Sequence, residues 1–173
     1  MNIRLAKLSD LPRLLEISNG AIQVLKEQGS PQWQNGYGPT EEKLRADINH
    51  GWLYVLEEEQ VLAFAALVPG VDEVYTNIRE GQWQGDAEYL SVHRFAVSRD
   101  VSGQGLAKKL LKAMVDQAAR QHITDIRIDT HKLNIGMQKA ILANGFTYRG
   151  QVTFPIPEGD RKAYQIVITN EFV

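Results

Sequence analysis

The chain has 173 residues, of which 43% are hydrophobic, and carries 19 lysines and arginines against 21 aspartates and glutamates. This length and composition predict an ordinary globular protein with one sizeable core, and they exclude collagen-like, disordered and repeat-array classes. The formal charge of -2 leaves no broad cationic face, so we expect neither nucleic acid nor a membrane surface as a partner. Because there is no cysteine, disulfides and thiolate chemistry are excluded, and we expect a cytoplasmic protein.

The first elements of the chain are a short strand and two helices. An apolar strand over 3–6 precedes a helix that begins within 9–12, where a capping residue stands before a proline. A loop over 29–39, rich in glycine and proline, separates this helix from a second one that opens at Thr40.

A hairpin and an irregular segment come next. Residues 52–56 and 61–68 are apolar runs joined by a polar turn, which predicts an antiparallel hairpin. The second run is apolar on both faces, as in a central strand, and is far shorter than the ~20 residues of a membrane-spanning helix. The segment over 70–86 is predicted as an inserted loop before a strand over 88–97.

The second half of the chain predicts a β-loop-α-β unit. Its helix spans 106–121 and its second strand 126–129, and the two strands of such a unit normally run parallel. The remaining predicted elements are a helix over 134–144 and strands over 146–152 and 163–169. One mixed sheet with helices on both faces, in a single domain over 1–173, is the simplest packing of these elements.

A loop with two glycines connects the strand ending at Val97 to the long helix. Backbone N–H groups and the positive end of the helix dipole converge there, which favours phosphate binding. A P-loop is excluded because Gly105 is followed by leucine. A dinucleotide fingerprint would need a small residue where Lys108 stands, although Asp129 does end the next strand. A plain tight turn before a surface helix is the remaining alternative.

Two motifs of the chain resemble those of the GNAT acetyltransferases. The family shows a valine at the end of the fourth strand, then R/Q-x-x-G-x-G/A, and later N-x-x-A-x-x-L-Y-x-x-x-G-F. The matching residues are Val97, Gly103, Gly105, Ala107, Asn134, Gly145 and Phe146. The resemblance covers essentially the whole chain. It implies an α+β fold of three layers, α/β/α, whose central mixed sheet is mostly antiparallel and whose fourth and fifth strands are parallel and splayed.

The resemblance also implies acetyl-CoA as cosubstrate. It assigns the backbone of Phe95 to the thioester carbonyl, Val97 to the pantetheine arm and the glycine loop to the pyrophosphate. The residues that it places against the cofactor are Phe95, Ala96, Val97, Ser102, Gly103, Gln104, Gly105, Leu106, Ala107, Lys108, Asn134 and Gln138. Lys108 either reaches the adenosine phosphates or is a solvated charge.

The implied reaction is direct transfer of the acetyl group to a primary amine of a small molecule or peptide. It needs a base for the amine proton and an N–H donor for the oxyanion, and it benefits from an acid. We expect the backbone at Phe95 to be the donor and His93 to be the base, because a family member has a histidine at the corresponding strand position. The alternatives are that His93 is merely packed in its strand, or that Glu88 acts through a water.

The family's usual acid, a tyrosine, is replaced here by Ile141. Tyr148 and Tyr164 are candidate substitutes, but buried aromatic residues with a satisfied hydroxyl are the commoner reading of both. This departure and Ser102 keep open a second hypothesis, a CoA-binding sensor or scaffold without turnover. A dinucleotide-binding oxidoreductase is the third.

The acceptor site is expected where the loop over 29–39 and the insertion over 70–86 approach the sheet. Aromatic residues in these segments that could hold an amine are Trp33, Tyr37, Tyr75 and Trp83. The insertion is acidic, which favours a cationic acceptor, although a solvated face explains the same charges. No histidine spacing predicts a metal site. Because GNAT proteins are often dimers, a homodimer is a candidate assembly.

Overall fold

A computed structural model describes residues 1–169 and shows seven strands and five helices. The strands are β1 (Asn2–Leu5), β2 (Leu53–Glu57), β3 (Val61–Pro69), β4 (Tyr89–Val97), β5 (Asp125–Thr130), β6 (Thr147–Thr153) and β7 (Asp160–Val167). The helices are α1 (Leu11–Glu27), α2 (Glu41–His50), α3 (Glu73–Thr76), α4 (Leu106–Arg120) and α5 (Ile135–Ala143), and 3₁₀ turns cover Leu8–Asp10 and Arg99–Val101. The last four residues of the predicted domain lie outside the described range.

All seven strands form one open sheet in the order β1-β2-β3-β4-β5-β7-β6. The β4–β5 pair is parallel and every other neighbouring pair is antiparallel. This confirms the predicted mixed, mostly antiparallel sheet. A doubly wound dinucleotide-binding fold would instead need several parallel strands, so the topology argues against that alternative.

Helices cover both faces of the sheet. On one face, Leu110, Leu111 and Met114 of α4 are fully buried in the larger core, which also includes residues of β3, β4 and β5. On the other face, α1 and α2 pack on a second core built around Phe64. Residues 61–67 of β3 are buried on both faces, which confirms the predicted central strand.

Side-chain caps and a glycine fix the ends of α2 and α5, whereas the cap predicted before α1 is absent, because Asp10 makes no side-chain cap hydrogen bond there. The Thr40 hydroxyl accepts a hydrogen bond from the Lys43 N–H at 3.3 Å, and α2 ends at Gly51 with φ +74°. At the start of α5, Asn134 Oδ1 accepts from the Met137 N–H at 3.2 Å. These local contacts set the places where the chain leaves each helix.

The insertion over 70–86 is more ordered than predicted. It contains the single turn α3, and Tyr75 and Trp83 pack there with Tyr89 and Val152 in a third apolar cluster. One helical turn is too short to produce a recognisable apolar periodicity, which explains why the sequence predicted only a loop. Strand β7 likewise begins at Asp160, whereas the sequence predicted a start at 163. The first three residues of the strand are polar, so its apolar pattern begins later than the strand itself.

Candidate active site

Strands β4 and β5 pair only over their first halves. Residues Tyr89–Val92 are in register with Asp125–Ile128, and β4 then continues to Val97 while β5 stays paired with β7. From 93 onward, the β4 edge that faces β5 therefore has no strand partner within residues 1–169. Unpaired edge groups of this kind can pair with an extended ligand as they would with another strand. The predicted splay of the two parallel strands is confirmed.

A β-bulge reshapes β4 next to the splay. Phe64 of β3 pairs with Ala96 and Ala66 pairs with His93, so two β4 residues, Arg94 and Phe95, oppose a single β3 residue. Arg94 adopts φ +50°, in the left-handed region. Its guanidinium donates to both carboxylate oxygens of the buried Asp47, with 2.8 Å between Nη2 and Oδ1. The bulge thereby re-aims the backbone at Phe95.

The splay opens into a cavity of about 430 Å³, a volume usual for a small-molecule site. Its walls come from α1, the α1–α2 loop, β4, the start of α4, β5 and the β6–β7 hairpin. The predicted site residues that line it are Trp33, Tyr37, His93, Phe95, Ala96, Val97, Ser102, Ala107 and Asn134. Residues predicted from four separate parts of the sequence thus meet at one place.

Other predicted site residues lie away from the cavity. Tyr75 is fully buried in the third cluster, and the Trp83 indole N–H donates to the Tyr75 carbonyl at 2.8 Å. The Gln138 amide donates to the Lys132 carbonyl at 2.8 Å and does not line the cavity. The structure does not bring these three side chains to the predicted ligand.

The glycine loop runs from Ser102 to Ala107, both at the cavity wall. Gly103 and Gly105 have φ of +79° and +73°, which explains why glycine stands at both positions. Gly105 precedes α4 without a side-chain cap, so the first N–H groups of the helix are free to bind an anion. Within this segment, Gln104 and Lys108 are exposed and Leu106 is buried in the core.

His93 forms a pair with Asp72, a residue that the sequence analysis did not single out for chemistry. His93 Nε2 lies 2.8 Å from Asp72 Oδ2, and Asp72 Oδ1 accepts from the Val74 N–H at the start of α3. Burial raises the pKa of Asp72, but the hydrogen bond and charge of His93 outweigh it, so the pKa lies below its usual range. The carboxylate fixes the imidazole and leaves Nδ1 to accept a proton when Nε2 carries one.

Asp129 is an acid at the cavity wall, which Asp72 does not line. Its Oδ2 accepts a hydrogen bond of 2.6 Å from the buried Tyr75 hydroxyl. Burial raises the pKa of Asp129, although the charges of His93 and Arg161 and the bond from Tyr75 favour its ionised form. Burial and the charge of Asp129 raise the pKa of Tyr75, so its hydroxyl remains a donor. A carboxyl perturbed in this way in a cavity is typical of a functional site.

The candidates for a tyrosine acid are not at the cavity. Ile141 is fully buried in the core, and Tyr148 and Tyr164 contact each other edge-to-face, with ring centroids 5.7 Å apart. Burial and the neighbouring Tyr148 raise the pKa of Tyr164. Among the described residues that line the cavity, Tyr37 is the single tyrosine.

Sequence reasoning missed the roles of Asp72, Asp129 and Arg161 in this arrangement. Asp129 ends β5 at the edge where the sheet opens, and the ends of strands at such an edge commonly bind ligands. That signal is present in the sequence, but no local motif links Asp129 to acetyl transfer. Asp72 and Arg161 carry no local motif.

Two kinds of feature are absent from the described part of the chain. No helix within residues 1–169 is both long and apolar enough to cross a bilayer. In the same range, no three histidine or carboxylate side chains are grouped so as to hold a metal ion.

Comparisons with known proteins agree with this geometry. The acetyltransferase (GNAT) family model matches residues 19–146. N-acetyltransferase 8F1 of Rattus norvegicus is 30% identical over 103 residues, which are 59% of this chain and only 42% of the rat protein.

Solved structures extend the similarity over nearly the whole chain. An acetyltransferase of the GNAT family from Streptococcus agalactiae is 32% identical with a TM-score of 0.89, covering 98% of this chain and 96% of the other. The yncA protein of Salmonella typhimurium, solved with its cofactor acetyl-CoA, is 18% identical with a TM-score of 0.66, covering 99% and 96%. At that identity the second similarity shows a shared fold.

Proposed function

Because the chain belongs to the acetyltransferase (GNAT) family, we propose that it transfers an acetyl group from acetyl-CoA to a primary amine of a small molecule or peptide. The observation that carries this proposal is the unpaired edge of β4 beyond Val92, which lies in the same cavity as the start of α4. An extended ligand with amides at one end and phosphates at the other fits such a pairing of sites.

Acetyl-CoA supplies the activated acetyl group. The open backbone of 93–97 is proposed to pair with its pantetheine amides, and the N–H groups of Gly103 to Ala107 to hold its pyrophosphate. Lys108, which is exposed on the first turn of α4, is the proposed contact for further phosphates. The Asn134 side chain caps α5, so its contact with the ligand is limited to what that hydrogen bond leaves free.

His93 is proposed to accept the proton that the attacking amine loses. The new bond joins the amine nitrogen to the acetyl carbon, the carbon–sulfur bond breaks, and the thiolate leaves and takes a proton from solvent. Asp72 positions the imidazole and stabilises it once it is charged. The backbone N–H of Phe95, turned by the bulge, is the proposed donor to the carbonyl oxygen.

A second candidate function is a CoA-binding sensor or scaffold without turnover. The observation that favours it is Ile141, which is fully buried where the family usually has its tyrosine. A thiolate leaves tolerably without an acid, however, and His93 with Asp72 supplies the base. Location in the cytoplasm and assembly into a homodimer stay predictions of the sequence.

Calorimetric titration with acetyl-CoA, CoA and NADH, followed by a thiol-release assay over a panel of amines, tests the proposal. We expect binding of acetyl-CoA and CoA but not NADH, with thiol release that depends on one class of amine. Binding without release from any amine would favour the sensor. No binding of either CoA species would contradict both functions.

A further inference from the structure

Arg161, at the start of β7, is a buried arginine that pairs with no carboxylate of residues 1–169. It is 5% exposed and lines the cavity together with Asp129 and Phe154. Its Nη1 donates to the backbone carbonyls of Glu158 and Asp160 at 2.7 and 2.9 Å. Within residues 1–169, its Nε and Nη2 groups donate to no protein acceptor.

Nε and Nη2 form the side of the guanidinium that other arginines of this protein use to hold a carboxylate. Three arginines each donate from Nε and Nη2 to the two oxygens of one acid. These pairs are Arg4 with Glu57, Arg94 with Asp47 and Arg127 with Asp125. In Arg161 the same pair of donors is left for a ligand, and two parallel N–H···O bonds match a carboxylate in geometry.

A second charged side chain lies in the same part of the cavity as Arg161. Asp129 lies in the same cavity wall, and the two residues form no ion pair with each other. Burial lowers the pKa of Arg161, whereas the hydrogen bonds that Arg4 donates to Asp10 and Glu57 raise the pKa of Arg4. Besides Lys43, Arg94 and Arg99, the cavity wall thus holds Arg161 and Asp129, which form no ion pair with each other. The hydroxyl of Thr130, also fully buried in this wall, has no hydrogen-bond partner among the described residues.

We propose that the acceptor is an amino acid or a similar small amine that carries a carboxylate, with the carboxylate on Nε and Nη2 of Arg161 and the amine toward Asp129 and His93. This proposal rests on the proposed acetyl transfer and narrows its acceptor class. It also modifies the expectation of a cationic acceptor, because Glu73, Glu80 and Asp86 of the insertion, and Glu88 after it, are exposed and do not line the cavity.

The test compares free amino acids with their C-terminal amides as acceptors at saturating acetyl-CoA. The α-amine of an amide is the less basic of the two, so more of it is neutral at pH 7.5, and a preference for the acid must come from the protein. We expect kcat/KM to be higher for the acids by about 10- to 100-fold, as charged hydrogen bonds would give. Arg161→Gln should abolish this preference through KM, and Arg161→Lys should restore part of it.

The control is Arg79→Gln, which removes an exposed arginine bound to Asp160 on the same hairpin, outside the cavity. It should leave the preference unchanged, and CoA affinity should be unchanged in both glutamine variants. Amides accepted as well as acids, or a loss of CoA affinity in Arg161→Gln, would overturn the proposal while acetyl transfer stands.

A binding measurement tests the carboxylate site separately from the proposed acetyl transfer. Titration of amino acids into CoA-saturated protein needs no turnover. If no amine is acetylated, binding that Arg161→Gln removes still supports the carboxylate site, and the absence of binding overturns it.

Discussion

An arginine and an aspartate lie at each end of β5. At one end they form an ion pair, and at the other end they do not. At its start, Arg127 donates to Asp125 at 3.1 and 2.9 Å, and its guanidinium lies 3.8 Å from the Tyr89 ring centroid. At its end, Asp129 lies near Arg161 without an ion pair, beside an open cavity. Removing one partner of a buried ion pair destabilises a fold, whereas a buried charge left for a ligand usually marks a site.

The largest effect predicted by this comparison is on stability at the start of β5. Arg127→Met strands the Asp125 carboxylate in the interior, and losing one partner of a buried pair typically costs about 3–5 kcal/mol. Urea unfolding measures the cost. Arg161→Met, the matched control at the cavity, removes a cation that has no carboxylate partner in the described part of the chain, and it should change the free energy of unfolding far less. Equal losses in the two variants would contradict the distinction between the two ends.

A smaller effect of opposite sign is expected at Asp129. Its folded-state pKa is raised by burial, so stability falls as pH rises from the unfolded pKa through the folded one, and the penalty is complete above both. In Asp129→Asn the amide oxygen can still accept the Tyr75 hydrogen bond. We expect Tm at pH 7 to rise by about 2–4 °C, which corresponds to ~1 kcal/mol for a chain of this size.

The gain in Tm of Asp129→Asn should disappear when the pH falls below the ordinary carboxyl range. Independently of pH, we expect this variant to transfer acetyl groups more slowly. Asp125→Asn is the control, and it should lower Tm because it breaks the pair with Arg127. A Tm for Asp129→Asn that stays below that of the wild type at pH 7 would show that Asp129 stabilises the fold.

The smallest predicted effect is on the glycine loop. Gln104→Glu places a negative charge before α4, where it would repel a bound pyrophosphate, and we expect CoA affinity to fall by about 3- to 10-fold. Gln121→Glu adds the same charge at the other end of α4 and is the control for net charge. Calorimetric titration with CoA compares the two variants. Equal affinities would contradict pyrophosphate binding at the start of α4.

Local patterns in the sequence predicted the elements that local contacts determine. The glycines of the 103–105 loop, the Thr40 cap and the doubly apolar β3 are examples, and their predicted places are confirmed. The bulge at Arg94 was not predictable in detail, because an extra residue leaves a strand's composition unchanged. The acids of the site contact partners that are distant in the sequence; Tyr75 and Asp129 are 54 positions apart. The proposed role of Arg161 follows only from the structure, in which its Nε and Nη2 groups donate to no acceptor among residues 1–169.

Tyr75 and Trp83 show a further limit of composition. Aromatic residues in an insertion are equally compatible with a ligand wall and with a small core of their own. In the structure they form a small core of their own. Tyr75 is fully buried there, and its hydroxyl donates a hydrogen bond to Asp129.

The central claim is that acetyl transfer occurs in the splay of β4 and β5 with His93 as the base. The most direct measurement is the rate of acetyl transfer by the wild type and by His93→Ala as a function of pH, with CoA affinity determined in parallel. The account predicts a loss of at least about 100-fold at neutral pH with unchanged CoA affinity, and a gap that narrows at high pH as the amine loses its proton unaided. A His93→Ala variant with the rate and pH profile of the wild type would contradict it.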